Sequence, residues 1–200
     1  MTPAPAHTLS SRMRGVRIIG GKWRNTRLCP PPIAGVRPTP DRVRETLFNW
    51  LAPTLAGARV LDLFAGSGAL TIEAVSRGAQ CGLLVERHHR LCAHLRERVG
   101  HLRAEAQLRV IHADALAWLA HPPSQRFDLV FCDPPFGLSL WRAVYAALLP
   151  HLAPAAWIYS ESPVTHPADP PPESHVYRQS STAQVHFALY RYTADKLEPL

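Results

Sequence analysis

From residue 58 to residue 162 the sequence repeats one pattern: a short apolar run of strand character, a turn, then a stretch with helical spacing. The runs are ARVLDL, QCGLLVE (80–86), LRVIHAD (108–114), FDLVFCD and AAWIYSES (155–162). Each is nearly continuous in its hydrophobicity, as expected of strands buried on both faces. The intervening stretches, near 69–77, 88–100, 115–120 and 139–149, carry the helices. Strands joined by helical crossovers pair in parallel, with helices on both faces of the sheet. Further on, HVYRQSS and AQVHFALYRY have no helix between them and read as a β-hairpin. The expected fold is therefore α/β: a doubly wound, mostly parallel seven-stranded sheet with an antiparallel C-terminal hairpin.

The first forty residues do not follow this pattern. Residues 1–15 are small, polar and proline-containing, and read as a disordered tail. VRIIGGKWRNTRL (16–28) reads as two short strands around a glycine pair. CPPPIAGVRP (29–38) is extended, because proline fixes φ and removes donors. Residues 16–38 thus form a small basic β-hairpin extension, and 39–194 the main domain. That domain opens on a helix: Thr39 is placed to cap it, Pro40 suits its first position, and Asp41 complements its positive end. Val43, Leu47 and Trp50 or Leu51 give it one apolar face.

Charge is distributed unevenly. Residues 1–50 hold nine Lys/Arg against two acids, and the rest of the chain holds thirteen of each sign, so the whole +7 excess lies in the first quarter. A basic arm with Trp23 and apolar residues among its cations points to a polyanionic partner, nucleic acid by default. No apolar run is long enough to span a membrane and the N-terminus lacks the apolar core of a secretory signal. The four cysteines are scattered without a CxxC pair, as in reduced cytoplasmic proteins. The eleven histidines lack metal-ligand spacing, and no metal is expected.

In an open α/β sheet, ligands bind beyond the carboxyl ends of the strands, and the chemistry-bearing residues collect there. The first group is Asp62-Leu63-Phe64-Ala65-Gly66-Ser67-Gly68. Glycines allow close backbone approach, and the following helix offers free N–H groups. A dinucleotide fingerprint would need a third glycine where Thr71 stands. Asp62, just before the turn, would repel a pyrophosphate but suits an ammonium, such as that of S-adenosylmethionine. Glu86 ends the next strand and can accept from two ribose hydroxyls. Asp114 ends the third and either accepts from an adenine amino group or caps the helix that follows.

The fourth strand ends in Asp133-Pro134-Pro135-Phe136. Methylating an exocyclic aromatic amine requires drawing its lone pair out of the ring. Two acceptors on its two hydrogens achieve this: the Asp133 carboxylate and the Pro134 carbonyl, which the adjoining prolines stiffen. Phe136 offers a flat face on which a flipped base can stack.

RIIGGKWRNTRL, RPTPDRVRETLFNWL, LDLFAGSGAL and FDLVFCDPPF together resemble the RsmD family of class I S-adenosylmethionine-dependent methyltransferases, over roughly residues 16–192. The resemblance implies a Rossmann-like fold and methyl transfer to N2 of a specific guanine in 16S ribosomal RNA, within a small-subunit particle. It implies cofactor contacts from Arg37, Thr39, Asp62, Phe64, Ala65, Gly66, Ser67, Gly68, Glu86, Asp114 and Ala115. It makes Asp133 to Phe136 the catalytic loop and gives RNA contact to Arg17, Lys22, Trp23, Arg24 and Arg27. A cytoplasmic monomer is expected. The chain departs from the family pattern at His88, where a second acid is usual, and at Ala183, where glycine is usual.

The DPPF loop alone does not separate guanine N2 from adenine N6. Glutamine methylation usually begins this loop with Asn. A nucleotide-linked oxidoreductase is disfavoured by Thr71 and Asp62, and a non-catalytic RNA-binding shell by the intact loop.

Overall fold

The computed structural model describes residues 15–33 and 39–194. Almost all of the expected tail lies outside them, as does Arg37. Two short strands, β1 (Val16–Arg17) and β2 (Arg27–Leu28), pair antiparallel. Helix α1 (Asp41–Leu51) follows. The alternating region gives β3 (Arg59–Asp62), α2 (Ala69–Ser76), β4 (Cys81–Glu86), α3 (His89–His101), β5 (Leu108–His112), α4 (Ala115–Leu119), β6 (Phe127–Cys132), α5 (Trp141–Leu148) and β7 (Leu152–Pro163). The chain ends in β8 (Ser174–Ser181) and β9 (Val185–Tyr192).

The seven strands of the main sheet lie in the order β5-β4-β3-β6-β7-β9-β8. β3 to β7 are parallel and β9 is antiparallel to both of its neighbours. The chain winds outward from β3 through β4 to β5, then returns to place β6 on the other side of β3. The strand order reverses there, and this is where an open sheet parts its loops to form a ligand crevice.

Two cores sandwich the sheet. On one face Phe48, Leu47 and Leu51 of α1 and Ile72 and Val75 of α2 pack on Val60, Leu84, Phe131 and Tyr159, with Ile18 and Leu28 of the small hairpin among them. On the other, Leu119 of α4 and Val144, Tyr145 and Leu148 of α5 pack on Leu61, Val130 and Ile158.

The small hairpin is docked on the end of α2. Ser76 ties it at three points: its carbonyl accepts the Lys22 N–H at 2.8 Å, its hydroxyl oxygen accepts the Trp23 N–H at 2.9 Å, and the hydroxyl donates to the Gly20 carbonyl at 2.7 Å. Gly21 lies in the left-handed region (φ 78°), and a Cβ there would fall 1.9 Å from the Ser76 carbonyl oxygen, so only glycine fits.

Several local expectations are corrected. Pro40, not Thr39, is the N-cap of α1, and no side chain caps that helix; the Thr39 hydroxyl is taken by Glu161 at 2.7 Å. α5 starts at Trp141 rather than 139, after a 3-10 turn over Phe136–Leu138. β7 begins at Leu152, because Pro154 is accommodated where the β6–β7 register shifts. β8 is the edge strand, exposed along nearly its whole length, and its pairing with β9 is broken by a bulge between Val176 and Arg178.

Candidate active site

The sequence-selected acids do gather at one edge. β3, β4 and β5 end in Asp62, Glu86 and His112, with Asp114 just beyond, and β6 runs into Asp133. Asp62 pairs in register with Phe131, so the Asp133–Phe136 loop opens two residues past the partner of Asp62 on the adjacent strand.

The turn from β3 to α2 is tight. Gly68, the N-cap of α2, has φ 76°, a conformation that L side chains rarely adopt. A Cβ there would fall 2.6 Å from Leu95. The Gly66 N–H donates to Glu86 Oε2 at 2.9 Å, and the His88 N–H to Glu86 Oε1 at 2.7 Å. Each Glu86 oxygen therefore has one protein partner and a lone pair remaining, which suits a group offering two hydroxyls. His88, where the family pattern carries an acid, caps α3 by accepting the Arg90 N–H at 3.3 Å.

Asp62 is 4% exposed and accepts the Thr71 hydroxyl at 2.9 Å. Burial pushes its carboxyl up to about 7, with the Glu86 charge adding to this and hydrogen bonds from Thr71 and the Phe64 N–H opposing it. Thr71, whose side chain breaks the dinucleotide fingerprint, thus orients the acid. A buried carboxyl with no cation acting on it among the described residues is well matched to an ammonium. These features fit the amino-acid and ribose parts of S-adenosylmethionine. Phe64 and Gly66 are partly exposed, while Ala65 and Ser67 are buried in the same turn.

Asp114 behaves as a helix cap: its Oδ1 accepts the Leu116 N–H at 2.9 Å and the Ala117 N–H at 3.2 Å. It is exposed, whereas Ala115 is buried. One carboxylate oxygen is committed to the cap and the other is available to a ligand.

In the loop after β6, Asp133 is partly buried and Pro134 buried. Burial pushes the Asp133 carboxyl well up, and the charges of Glu161 and Asp62 push it further. The Pro135 carbonyl accepts the Leu138 N–H at 3.0 Å, which closes the 3-10 turn, while that of Pro134 takes no backbone donor among the described residues. Phe136 is 37% exposed and lies 6.1 Å from Trp141, ring to ring, at 39°. Trp141 is held in turn by its indole N–H donating to the Glu161 carbonyl at 2.9 Å.

Two residues of this edge carry no expectation from sequence: Glu161 and Tyr159. Glu161, 3% exposed at the end of β7, accepts from both Thr39 and Tyr159. The signal that selected Asp62 and Glu86, an acid closing an apolar strand, is also present in AAWIYSES.

The basic residues of the extension do not reach this edge. Lys22, Trp23 and Arg24 lie at the far end of α2, a helix of eight residues and so about 12 Å long. Lys22 Nζ bonds Gln107 Oε1 at 2.5 Å and lies 4.2 Å over the Trp23 ring. Arg17, Arg24 and Arg27 are exposed. Among the described residues no group of three or more His, Cys, Asp or Glu side chains is arranged to hold a metal. No helix among them is long and apolar enough to cross a membrane.

Comparison with known proteins fits this geometry. A family model described as conserved hypothetical protein 95 matches residues 16–191. Ribosomal RNA small subunit methyltransferase D of Escherichia coli K12 is 40% identical over 193 residues, covering 95% of each chain. The protein of the same name from Haemophilus influenzae is 38% identical over 180 residues, covering 88% of this chain and 93% of its own. A solved structure of a putative methyltransferase, yhhF from Escherichia coli, superposes with TM-score 0.81 at 41% identity, covering 90% of this chain and 99% of that one. With the glycine turn, the strand-end acids and the DPPF loop all at one sheet edge, the chain belongs to this family, the RsmD family of ribosomal RNA small subunit methyltransferases.

Proposed function

We propose that this protein transfers a methyl group from S-adenosylmethionine to the exocyclic N2 of a guanine in 16S ribosomal RNA. The observation that carries the reading is the parallel register of β3 and β6, which sets the Asp133 loop beside the glycine turn that follows Asp62. When bound, S-adenosylmethionine supplies the methyl as an electrophilic carbon on a sulfonium. Asp62 takes the ammonium, and Glu86 takes the ribose hydroxyls. Asp114 and Ala115 border the adenine side. Arg37 and Thr39 come from the segment leading into α1. Thr39 acts through Glu161, to which its hydroxyl is committed.

The protein's contribution to the chemistry is positioning and electrostatics. Asp133 and the Pro134 carbonyl accept the two amine hydrogens, which localises the nitrogen lone pair. Phe136, backed by Trp141, stacks on the extruded base. As the nitrogen gains charge its proton becomes acidic, and Asp133 lies within the same hydrogen bond to take it. The RNA runs from this edge along α2 to Arg17, Lys22, Trp23, Arg24 and Arg27. The RNA is taken as part of a small-subunit particle.

Small subunits from cells lacking the enzyme, incubated with protein and S-adenosylmethionine carrying a labelled methyl, are expected to yield N2-methylguanosine at one position. N6-methyladenosine as the product would overturn the guanine assignment. A thermal shift with NADH but none with S-adenosylmethionine would overturn methyl transfer altogether.

A further inference from the structure

The chemistry proposed for this site gives Glu161 no direct task. Cys132 and Ser160 are register partners, so Glu161 stands on the strand next to Asp133. Its Oε1 accepts two hydroxyls from separate elements, Thr39 at 2.7 Å and Tyr159 at 2.9 Å. Burial pushes the Glu161 carboxyl up, and both bonds oppose that by favouring the ionised form. The groups facing the pair are Asp62 from β3, whose charge acts on Asp133, Cys132 from β6, and Tyr159 from β7 and Thr39 ahead of α1, whose hydroxyls bond Glu161. None of the groups acting on Asp133 or Glu161 is a cation among the described residues.

A purely structural acceptor for Thr39 and Tyr159 would be better served by glutamine. An amide oxygen accepts both hydroxyls without the cost of burying a charge, and without repelling Asp133. An ionised Glu161 therefore calls for a cation, and the described residues supply none there. The reaction supplies one. The amine that Asp133 holds must lie about 3–3.5 Å from the methyl carbon for transfer to occur, which brings the positively charged sulfur beside the Asp133–Glu161 pair.

Building on the methyl-transfer reading, we propose that Glu161 is a specificity-determining residue of the cofactor site: its buried charge makes the pocket hold a sulfonium more tightly than a neutral thioether, so that S-adenosylmethionine displaces S-adenosylhomocysteine after each turnover. The two ligands share their ammonium, carboxylate and nucleoside. Contacts to Asp62, the glycine turn and Glu86 cancel between them, and the remaining difference is one methyl and one charge.

The test is calorimetric titration of the full-length protein at pH 8 with each ligand, for the wild type and Glu161→Gln. The wild type binds S-adenosylmethionine more tightly. In the variant that affinity falls about tenfold, a typical size for coupling between close charges, while S-adenosylhomocysteine affinity changes less than about threefold. Titrations in buffers of differing ionisation enthalpy show more protons released by S-adenosylmethionine than by S-adenosylhomocysteine, a difference that shrinks in the variant. Equal losses for both ligands, or no change for either, would overturn the proposal. Tyr159→Phe supplies a second arm that keeps the acid but removes a donor. It moves the pH dependence of S-adenosylmethionine binding upward and leaves that of S-adenosylhomocysteine in place, and parallel shifts of both curves would equally overturn it. Failure of the wild type to bind either ligand would instead strike the methyl-transfer reading.

Discussion

Arg44 of α1 and Glu73 of α2 meet at 2.7 Å with neither side chain exposed to solvent. The pair is the centre of a larger network. Glu73 Oε1 also accepts from Arg77, and its Oε2 from the Ile19 N–H at 3.3 Å, while Arg44 donates to the Arg17 carbonyl and to Asp41, each at 2.7 Å. One carboxylate thus joins the small hairpin, α1 and α2. Arg44, counted among the cations of the first fifty residues, is internal and takes no part in any RNA surface.

Removing the acid leaves that buried guanidinium without its main partner. Glu73→Ala is expected to cost about 3–5 kcal/mol, the usual penalty for half of a buried pair. Denaturant unfolding measures this directly. A loss below about 1 kcal/mol, the range of surface pairs, would show that water reaches the site.

Asp133→Ala removes one of the two amine acceptors. Methyl incorporation is expected to fall about 10²–10³-fold, by analogy with the loss of one oxyanion-hole group, while S-adenosylmethionine affinity stays within about tenfold of wild type. Turnover close to wild type in a single-turnover assay would remove Asp133 from the mechanism.

The pH dependence follows from Asp62, whose carboxyl is pushed up to about 7 by burial. An acid with a folded value above its unfolded one stabilises the free protein most at low pH, and that stability is lost as pH rises through about 7. A bound ammonium favours the ionised form and reverses the trend. The rise in melting temperature on adding S-adenosylmethionine is therefore expected to grow between pH 6 and pH 8. Asp62→Asn flattens that growth. A ligand-induced rise that is constant across this range in the wild type would mean that Asp62 does not face the ammonium.

For the RNA, every phosphate that the protein no longer neutralises should lower the salt slope of binding by about 0.7–0.9. Neutralising Arg17, Arg24 and Arg27, all exposed, is expected to reduce the slope by two or more while methyl-donor affinity is unchanged. Filter binding of small-subunit RNA over a salt series measures it. An unaltered slope would confine the footprint to the catalytic edge.

The parallel strands and the four strand-end sites were legible because their signals are local: a run buried on both faces is apolar throughout, and an acid closing it stands out. Failures came where a distant residue changed the outcome. Thr39 had the chemistry of a helix cap, but a carboxylate 122 positions away competed for its hydroxyl. Arg44 sits on an otherwise apolar face, and its burial depends on Glu73, 29 positions away. The strand expected over 155–162 starts earlier, at Leu152, because a register shift absorbs Pro154. Glu161 was different, since its signal was present, but the DPPF loop on the neighbouring strand already accounted for the chemistry.

The bulge in β8 bears on how this protein behaves when concentrated. An exposed outer strand with regular geometry offers a ladder of unpaired amides to any passing copy, and stacking of such edges seeds fibres. The offset between Val176 and Arg178 twists that ladder and places a guanidinium on it. Deleting Tyr177, the residue inside the offset, would straighten the rim and open it to stacking against a second copy.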